Sequence, residues 1–350
     1  MVQRRALLLA ALPLPRQAQA ALRFPHDFGA HPGQGIEWWY LTGLLGDAGG
    51  PPRFGYQLTF FQLPGPAPAD HPSGLAARQL LLGHVALSDL GARTQRHTQR
   101  LMRTLPGAVE AAVGDCNVRL RDWTLQRRAA GGTDGYQAAF SGPGFTLALQ
   151  LASPDAPLLQ GDAGMSRKGP AAAQFSRYYT RPQLATQATL TLDGRRQSLT
   201  GRAWLDHEWS DSLLGDAVGW DWLGINLDDG RALTLFQLRR QDGTRHWAGG
   251  SLRTPGAPDR SFGPDEVAMT PTRHWTSPAT NARWPVEWRL KSPAGEMRLA
   301  AAFDAQEIDA RQASGLVYWE GVARLFDAGQ RPLGAGYLEL TGYAGRAPLA

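Results

Sequence analysis

A chain of 350 residues has room for two ordinary domains, and 43% hydrophobic residues lets each bury a core, which argues against a disordered chain. The net charge of +5 is carried almost wholly by arginine, in pairs such as Arg127-Arg128, Arg195-Arg196 and Arg239-Arg240, with Lys168 and Lys291 the only lysines. Without a long basic tract or zinc-finger spacing, this describes a solvated surface and no nucleic-acid partner. Cys116 is the only cysteine, so no intrachain disulfide can form.

At the start of the chain, Arg4-Arg5 precedes an apolar run over 6–14, and Ala18-Gln19-Ala20 follows. This predicts a signal peptide over residues 1–20, with a twin-arginine hint, and a mature chain from about Ala21 that is periplasmic or secreted. The apolar run is too short to span a bilayer as a stable helix, and no cysteine follows it as a lipoprotein anchor. No integral membrane segment is expected in the mature chain.

From residue 21 onward strand signals replace helical periodicity. A first tryptophan-rich string, His31 to Tyr40, leads into the apolar run Leu58-Thr-Phe-Phe-Gln-Leu63 and a Pro/Ala/Gly-rich loop over 65–76. His84 follows in a strand-like run, then Asp122-Trp123-Thr-Leu125 and the strictly alternating Phe145-Thr-Leu-Ala-Leu-Gln-Leu151. Ala188 to Leu192 alternates as well, and Asp193-Gly194, Asp229-Gly230 and Asp242-Gly243 are hairpin signals. Two more tryptophan-rich strings come at 204–210 and 219–222, and 253–262 reads as a loop.

A repeat organises these strands. Leu58-Thr-Phe-Phe-Gln-Leu63 returns as Leu233-Thr-Leu-Phe-Gln-Leu238, half the chain later, and each copy follows a tryptophan-rich segment. Asp122-Trp123-Thr-Leu125 and Glu287-Trp288-Arg-Leu290 form a weaker second echo. The prediction is an all-β protein of two similar antiparallel domains in tandem, each a sandwich or a barrel, with the division near 205–215 and units of 21–207 and 208–350.

Six of the 12 tryptophans fall in the three short strings. If 204–210 is a strand, Leu205, His207 and Trp209 face one way and Trp204, Asp206 and Glu208 the other. Trp220 and Trp222 likewise share a face, opposed by Asp221. A carboxyl held against indole rings loses hydration and its pKa rises, so Asp206, Glu208 or Asp221 with His207 could form an acid–base pair. Indole faces also stabilise a nearby carbocation, which suits protonating an alkene and capturing the cation with water. The competing reading is structural: the three polar residues satisfy one another, the tryptophans are core, and His84 is a satisfied strand histidine. No Gly-x-Ser-x-Gly elbow, His-Glu-x-x-His, P-loop or dinucleotide fingerprint is present, and eight scattered histidines define no metal site.

The strings His31 to Gly43 (HPGQGIEWWYLTG) and Ala203 to Ser210 (AWLDHEWS) resemble the family that joins carotenoid 1,2-hydratases to AttH-type secreted proteins encoded beside ABC transporters. HVALSD at 84–89, QGDAGMSRK at 160–168, YYTRP at 178–182, GWDW at 219–222 and GYLELTGY at 336–343 extend the resemblance over nearly the whole mature chain. It implies two lipocalin-like (calycin-type) barrels. Hydratase members add water to the end double bond of acyclic carotenoids without a redox cofactor. On that pattern His207 is the catalytic histidine with Trp209 beside it, and Asp206 the acid, with Glu208 and Asp221 as rivals. Glu37, Trp38, Trp39, Tyr40, His84, Tyr178, Trp209, Trp220 and Trp222 are the candidate ligand-binding residues. DHEWS and GWDW place the chain nearer the AttH branch. Two functions stay open: a hydro-lyase acting on a polyene or terpenoid, and a carrier of lipid or other apolar ligand working with ABC transporter components.

Overall fold

The computed structural model describes residues 21–68, 70–73, 76–128, 134–153, 155–211 and 217–345; the signal-peptide pattern of 1–20 lies outside them. Side-chain alternation shapes the chain. Phe145–Ser153 buries every second residue, and Leu147, Leu149 and Leu151 enter an apolar interior. Asp193 and Gly194 both adopt left-handed backbone (φ 48° and 80°), the geometry of a two-residue hairpin turn. They fold the long strand Phe175–Leu192 back onto Arg195–Ser210.

Two antiparallel sheets result. The first has the hydrogen-bonded order Thr94–Arg103, Gln79–Asp89, Pro52–Pro64, Ile36–Gly46, Arg195–Ser210, Phe175–Leu192, Phe145–Ser153, Asp134–Gly142, Trp123–Arg127, Asn117–Leu120, Val109–Ala111. The second runs Arg260–Phe262, Arg245–Arg253, Ala232–Arg239, Gly219–Leu227, Pro332–Leu340, Leu316–Asp327, Gly295–Ala301, Arg283–Ser292, Ala268–Thr276. Each curls into a near-barrel, giving the two-barrel lipocalin-like fold that the resemblance implies. The chain passes from one sheet to the other between Ser210 and Gly219. Among the described residues no helix is long and apolar enough to cross a membrane.

The repeated string occupies the same place in both sheets. Leu58 and Leu233 lie on strands that pair with the tryptophan-rich strands Ile36–Gly46 and Gly219–Leu227. In each copy the same positions turn inward: Leu58 and Phe60 in the first barrel, Leu233 and Leu235 in the second. Phe61 and Leu63, and their counterparts Phe236 and Leu238, face the other way.

Both barrel interiors are packed with large side chains. Trp39, Tyr56, Trp123 and Tyr179 fill the first, and Trp284, Trp288 and Trp319 the second. A third cluster, including Tyr40, Leu82, Trp204, Trp222, Phe236, Tyr318 and Tyr337, lies between the outer faces of the two sheets. The hollow of this protein is therefore between the barrels, not within either one.

Candidate functional site

Ile36–Gly46 and Arg195–Ser210 are neighbours whose central residues are buried on both faces. One face serves the first barrel's interior and the other serves the inter-barrel cluster, so alternation sorts the tryptophan-rich motif into two separate environments.

The outward residues open onto a cavity of about 750 Å³ not filled by atoms, open solvent at its mouth included. The first barrel contributes Trp38, Tyr40, Gln57, Thr59, Phe61, Lys168, Tyr178, Asp206 and Glu208; the second contributes Trp220, Trp222, Phe236, Leu238, Tyr318 and Glu339. The walls are thus mostly aromatic and apolar, with a few polar groups converging on them.

Asp206 is the most elaborately held of these polar groups. Thr180 Oγ1 and Trp204 Nε1 donate to its Oδ1 at 2.5 and 2.9 Å, and Tyr178 Oη donates to its Oδ2 at 2.8 Å. Behind these donors, Gln160 Nε2 donates to Thr180 Oγ1 at 2.9 Å and Trp222 Nε1 to Tyr178 Oη at 3.2 Å. Burial raises the Asp206 carboxyl to about 7, more than the three inbound hydrogen bonds lower it. Glu208, two residues on, is neutralised differently: Lys168 Nζ sits 2.8 Å from its Oε1, and Ser176 also donates to it. The Lys168 ammonium also lies 4.5 Å from the Phe236 ring centre and 5.1 Å from that of Tyr178. On the far wall, burial raises Glu339 to about 8, with the nearby Asp206 and Glu208 charges adding to the effect.

His207 is not in this cavity, which corrects the expectation that it pairs with Asp206. Consecutive strand residues point to opposite faces, so His207 enters the first barrel. There its ring stacks on Trp39 (4.6 Å between centres) and its Nδ1 lies 3.1 Å from Tyr179 Oη. Its Nε2 is 2.8 Å from Glu37 Oε1, and the same oxygen is 2.7 Å from His31 Nδ1. His31 stacks on Trp209 at 3.8 Å and reaches Asp27 Oδ1 at 3.3 Å. Glu37, Trp39, His207 and Trp209 therefore form one interior cluster on the opposite face of these strands from the cavity lining, and not the cavity residues expected.

The fold assembles this His31–Glu37–His207 group from residues that linear spacing leaves scattered. Their ligand atoms fall within 4.8 Å of one another, close enough to be weighed as a metal site. The 2.7 and 2.8 Å separations are hydrogen-bond lengths, shorter than the roughly 3.3 Å between neighbouring ligands of a tetrahedral zinc ion. The group fits a hydrogen-bonded imidazole–carboxylate chain.

Asp221 also turns away from the cavity, into the second barrel. Gln237 Nε2, Arg239 Nε and Tyr343 Oη donate to it at 2.8, 2.9 and 2.8 Å. It is the counterpart of Glu37: each carboxylate faces the glutamine of the repeated string on the paired strand, Glu37 with Gln62 and Asp221 with Gln237. His84 stands behind the cavity wall, its Nδ1 2.8 Å from the Tyr318 hydroxyl, and burial lowers its pKa to about 3, so it is neutral. Trp38, Tyr40, Tyr178, Trp220 and Trp222 line the cavity, together with Asp206 and Glu208. Lys168, Phe236, Tyr318 and Glu339 do so without having been singled out from the sequence. Lys168 carried a signal in being one of two lysines, and Phe236 in its repeat position.

The AttH-like family model matches residues 15–343. No match is found among curated proteins. Of solved structures, an AttH candidate from Nitrosomonas europaea is 40% identical with a TM-score of 0.85, covering 94% of this chain and 99% of that one. Kievitone hydratase from Nectria haematococca shares the fold at 14% identity and a TM-score of 0.70, covering 94% of each chain. CghA does so at 14% identity and a TM-score of 0.51, covering 88% of each. The chain belongs to the AttH-like family.

Proposed function

We propose that the protein is an acid–base catalyst of the hydro-lyase type, acting on an unsaturated, apolar small molecule held between its two barrels. The observation that carries this reading is Asp206: a carboxyl poised near neutrality, opening onto an aromatic cavity and gripped by three side-chain donors. A purely structural carboxyl needs no such opening. The hydratase named among the structural neighbours and the resemblance to carotenoid hydratases fit this chemistry, although at 14% identity the neighbour supports the fold alone. The 1–20 pattern supports export, and the sequence resemblance to proteins encoded beside ABC transporters makes transporter components the partners to seek.

The test uses lycopene, an acyclic polyene, dispersed in detergent. Binding quenches emission from the cavity tryptophans Trp38, Trp220 and Trp222, and wild-type protein yields the hydrated product. Asp206→Asn retains the quenching and loses about a hundredfold or more of the turnover. Quenching by wild type without any product favours the carrier function instead, and absence of quenching sinks the cavity as a ligand site.

A further inference from the structure

The two barrels present matching carboxyls to the cavity, and they are treated differently. Glu208 pairs across its sheet with Trp38, and Glu339 pairs with Trp222 in the equivalent register of the second sheet. Glu208 has a cation, Lys168, at 2.8 Å. Glu339 forms no ion pair among the described residues and has the Trp220 side chain as its hydrogen-bonding neighbour. Directly opposite it on the adjoining strand stands Glu320, fully buried, whose Oε1 accepts from Tyr40 Oη at 2.6 Å and whose Oε2 has no partner. Two like carboxyls side by side in a dry site resist ionising together, so protons are retained here. Asp206 differs in its partners: three donors, backed by Gln160 and Trp222, point at it and offset part of the rise that burial causes, so of the two it is the one equipped to carry the negative charge.

Resting on the reading of this cavity as a catalytic site, we infer that Glu339 of the second barrel is the proton donor and Asp206 of the first the proton acceptor, facing each other across the bound substrate. In hydration, Glu339 gives its proton to one carbon of a C=C bond. Water adds to the other carbon as its proton passes to Asp206, so that one H2O is added and no oxidant or reductant is required. The two carboxyls recover their starting states by exchange with solvent. Glu320 beside it is itself held neutral by burial, with Glu339 adding to the effect. The substrate class follows: an alkene, or in reverse a tertiary or allylic alcohol, whose cation the indoles of Trp220 and Trp222 can face. The titratable groups around Glu339 are Glu320 and Tyr318 from its own sheet and Asp206, Glu208 and Tyr40 from the first barrel, with Lys168 and Tyr178 lining the same cavity. Lys168 is committed to Glu208, leaving the Asp206–Glu339 pair to titrate together.

The test has two arms on the full-length protein. The first is an infrared pH titration of the protonated-carboxyl band in wild type, Glu339→Gln and Asp206→Asn. Near neutral pH, Glu339→Gln is expected to remove part of the band, and Asp206→Asn to move the remaining Glu339 titration to lower pH by removing a like charge. A Glu339 that titrates with ordinary carboxylates, or one indifferent to Asp206→Asn, overturns the proposal. The second arm is lycopene turnover in D2O with mass spectrometry. Glu339→Gln is expected to lose about a hundredfold or more of carbon-bound deuterium incorporation with unchanged tryptophan quenching. Glu339→Asp, which keeps an acid in a withdrawn position, loses less and guards against a folding artefact. Retained turnover in Glu339→Gln overturns the donor role. Absence of turnover in wild type, with the coupled titration intact, refutes the functional reading while the paired titration stands.

Discussion

At the residue scale, two buried carboxyls show how partners decide the sign of a pKa shift. Burial penalises Glu37, yet the hydrogen bonds from His207 and His31 outweigh it and hold its carboxyl below the ordinary 4.5. A carboxyl depressed on folding stabilises the protein above its unfolded pKa, and that stability is lost as pH falls through the folded value. Wild-type protein is therefore expected to lose stability below about pH 4.5 more steeply than Glu37→Gln, as read from denaturation midpoints across an acid series. Asp206 runs the other way, because burial dominates there and raises it from 3.8 to about 7. Its contribution declines as pH climbs from the unfolded to the folded value, costing on the order of 4 kcal/mol once ionised. Asp206→Asn is thus expected to melt above wild type at pH 8, with the gain shrinking towards pH 4. Equal melting curves at pH 8 would show that the site does not strain the carboxylate. The same variant is expected to lose turnover, the trade of stability for activity that a functional carboxyl implies.

At the scale of the strand, Arg195–Ser210 carries both sites and keeps them apart. Trp204, Asp206 and Glu208 face the second barrel, while Leu205, His207 and Trp209 face their own. His207→Ala removes one of the two imidazoles bonded to the buried Glu37 and leaves the cavity wall intact. It is expected to cost about 3 kcal/mol in denaturant unfolding, with lycopene quenching unchanged. A matched loss of quenching would place His207 in the ligand site after all. The sequence made the strands and the hairpin at Asp193-Gly194 legible because Phe145–Ser153 has one wet face and alternates cleanly. Alternation also sorted the residues of 204–210 correctly into two faces. It could not say what each face meets, because all seven are buried and both faces look like core. Glu339 was invisible for a related reason. Its string, GYLELTGY, carried the resemblance without marking Glu339, whose significance arises from Glu320 alongside and Asp206 across the cavity, neighbours that only the fold supplies.

At the scale of the molecule, the repeat explains why the cavity lies where it does. Each barrel buries its own leucines and turns the same pair of positions, Phe61 and Leu63 or Phe236 and Leu238, towards its partner. Two apolar outer faces then cover each other, and polar links across them fix the spacing: Tyr40 to Glu320 at 2.6 Å, His84 to Tyr318 at 2.8 Å and Gln183 to Asn226 at 2.8 Å. The distance between acid and base is set by this seam, so the seam is where geometry can be changed without touching either group. Gly55 lies at a close approach of the two barrels. A Cβ there would lie 2.2 Å from Val322 Cγ2 and 2.8 Å from the Tyr337 hydroxyl, both on the second barrel. Val322 is β-branched and buried, with little freedom to retreat, so the sheets must part. Gly55→Ala is expected to cost about 1–3 kcal/mol in denaturant unfolding. Because Asp206 and Glu339 belong to different barrels, parting them should weaken their mutual repulsion and move the Glu339 titration to lower pH, even though neither residue has changed. Weaker tryptophan quenching by lycopene should accompany that shift, since the walls that grip the ligand separate together. A Gly55→Ala protein as stable as wild type, with the same carboxyl titration, would mean that the two barrels slide without cost and that their spacing does not tune the site.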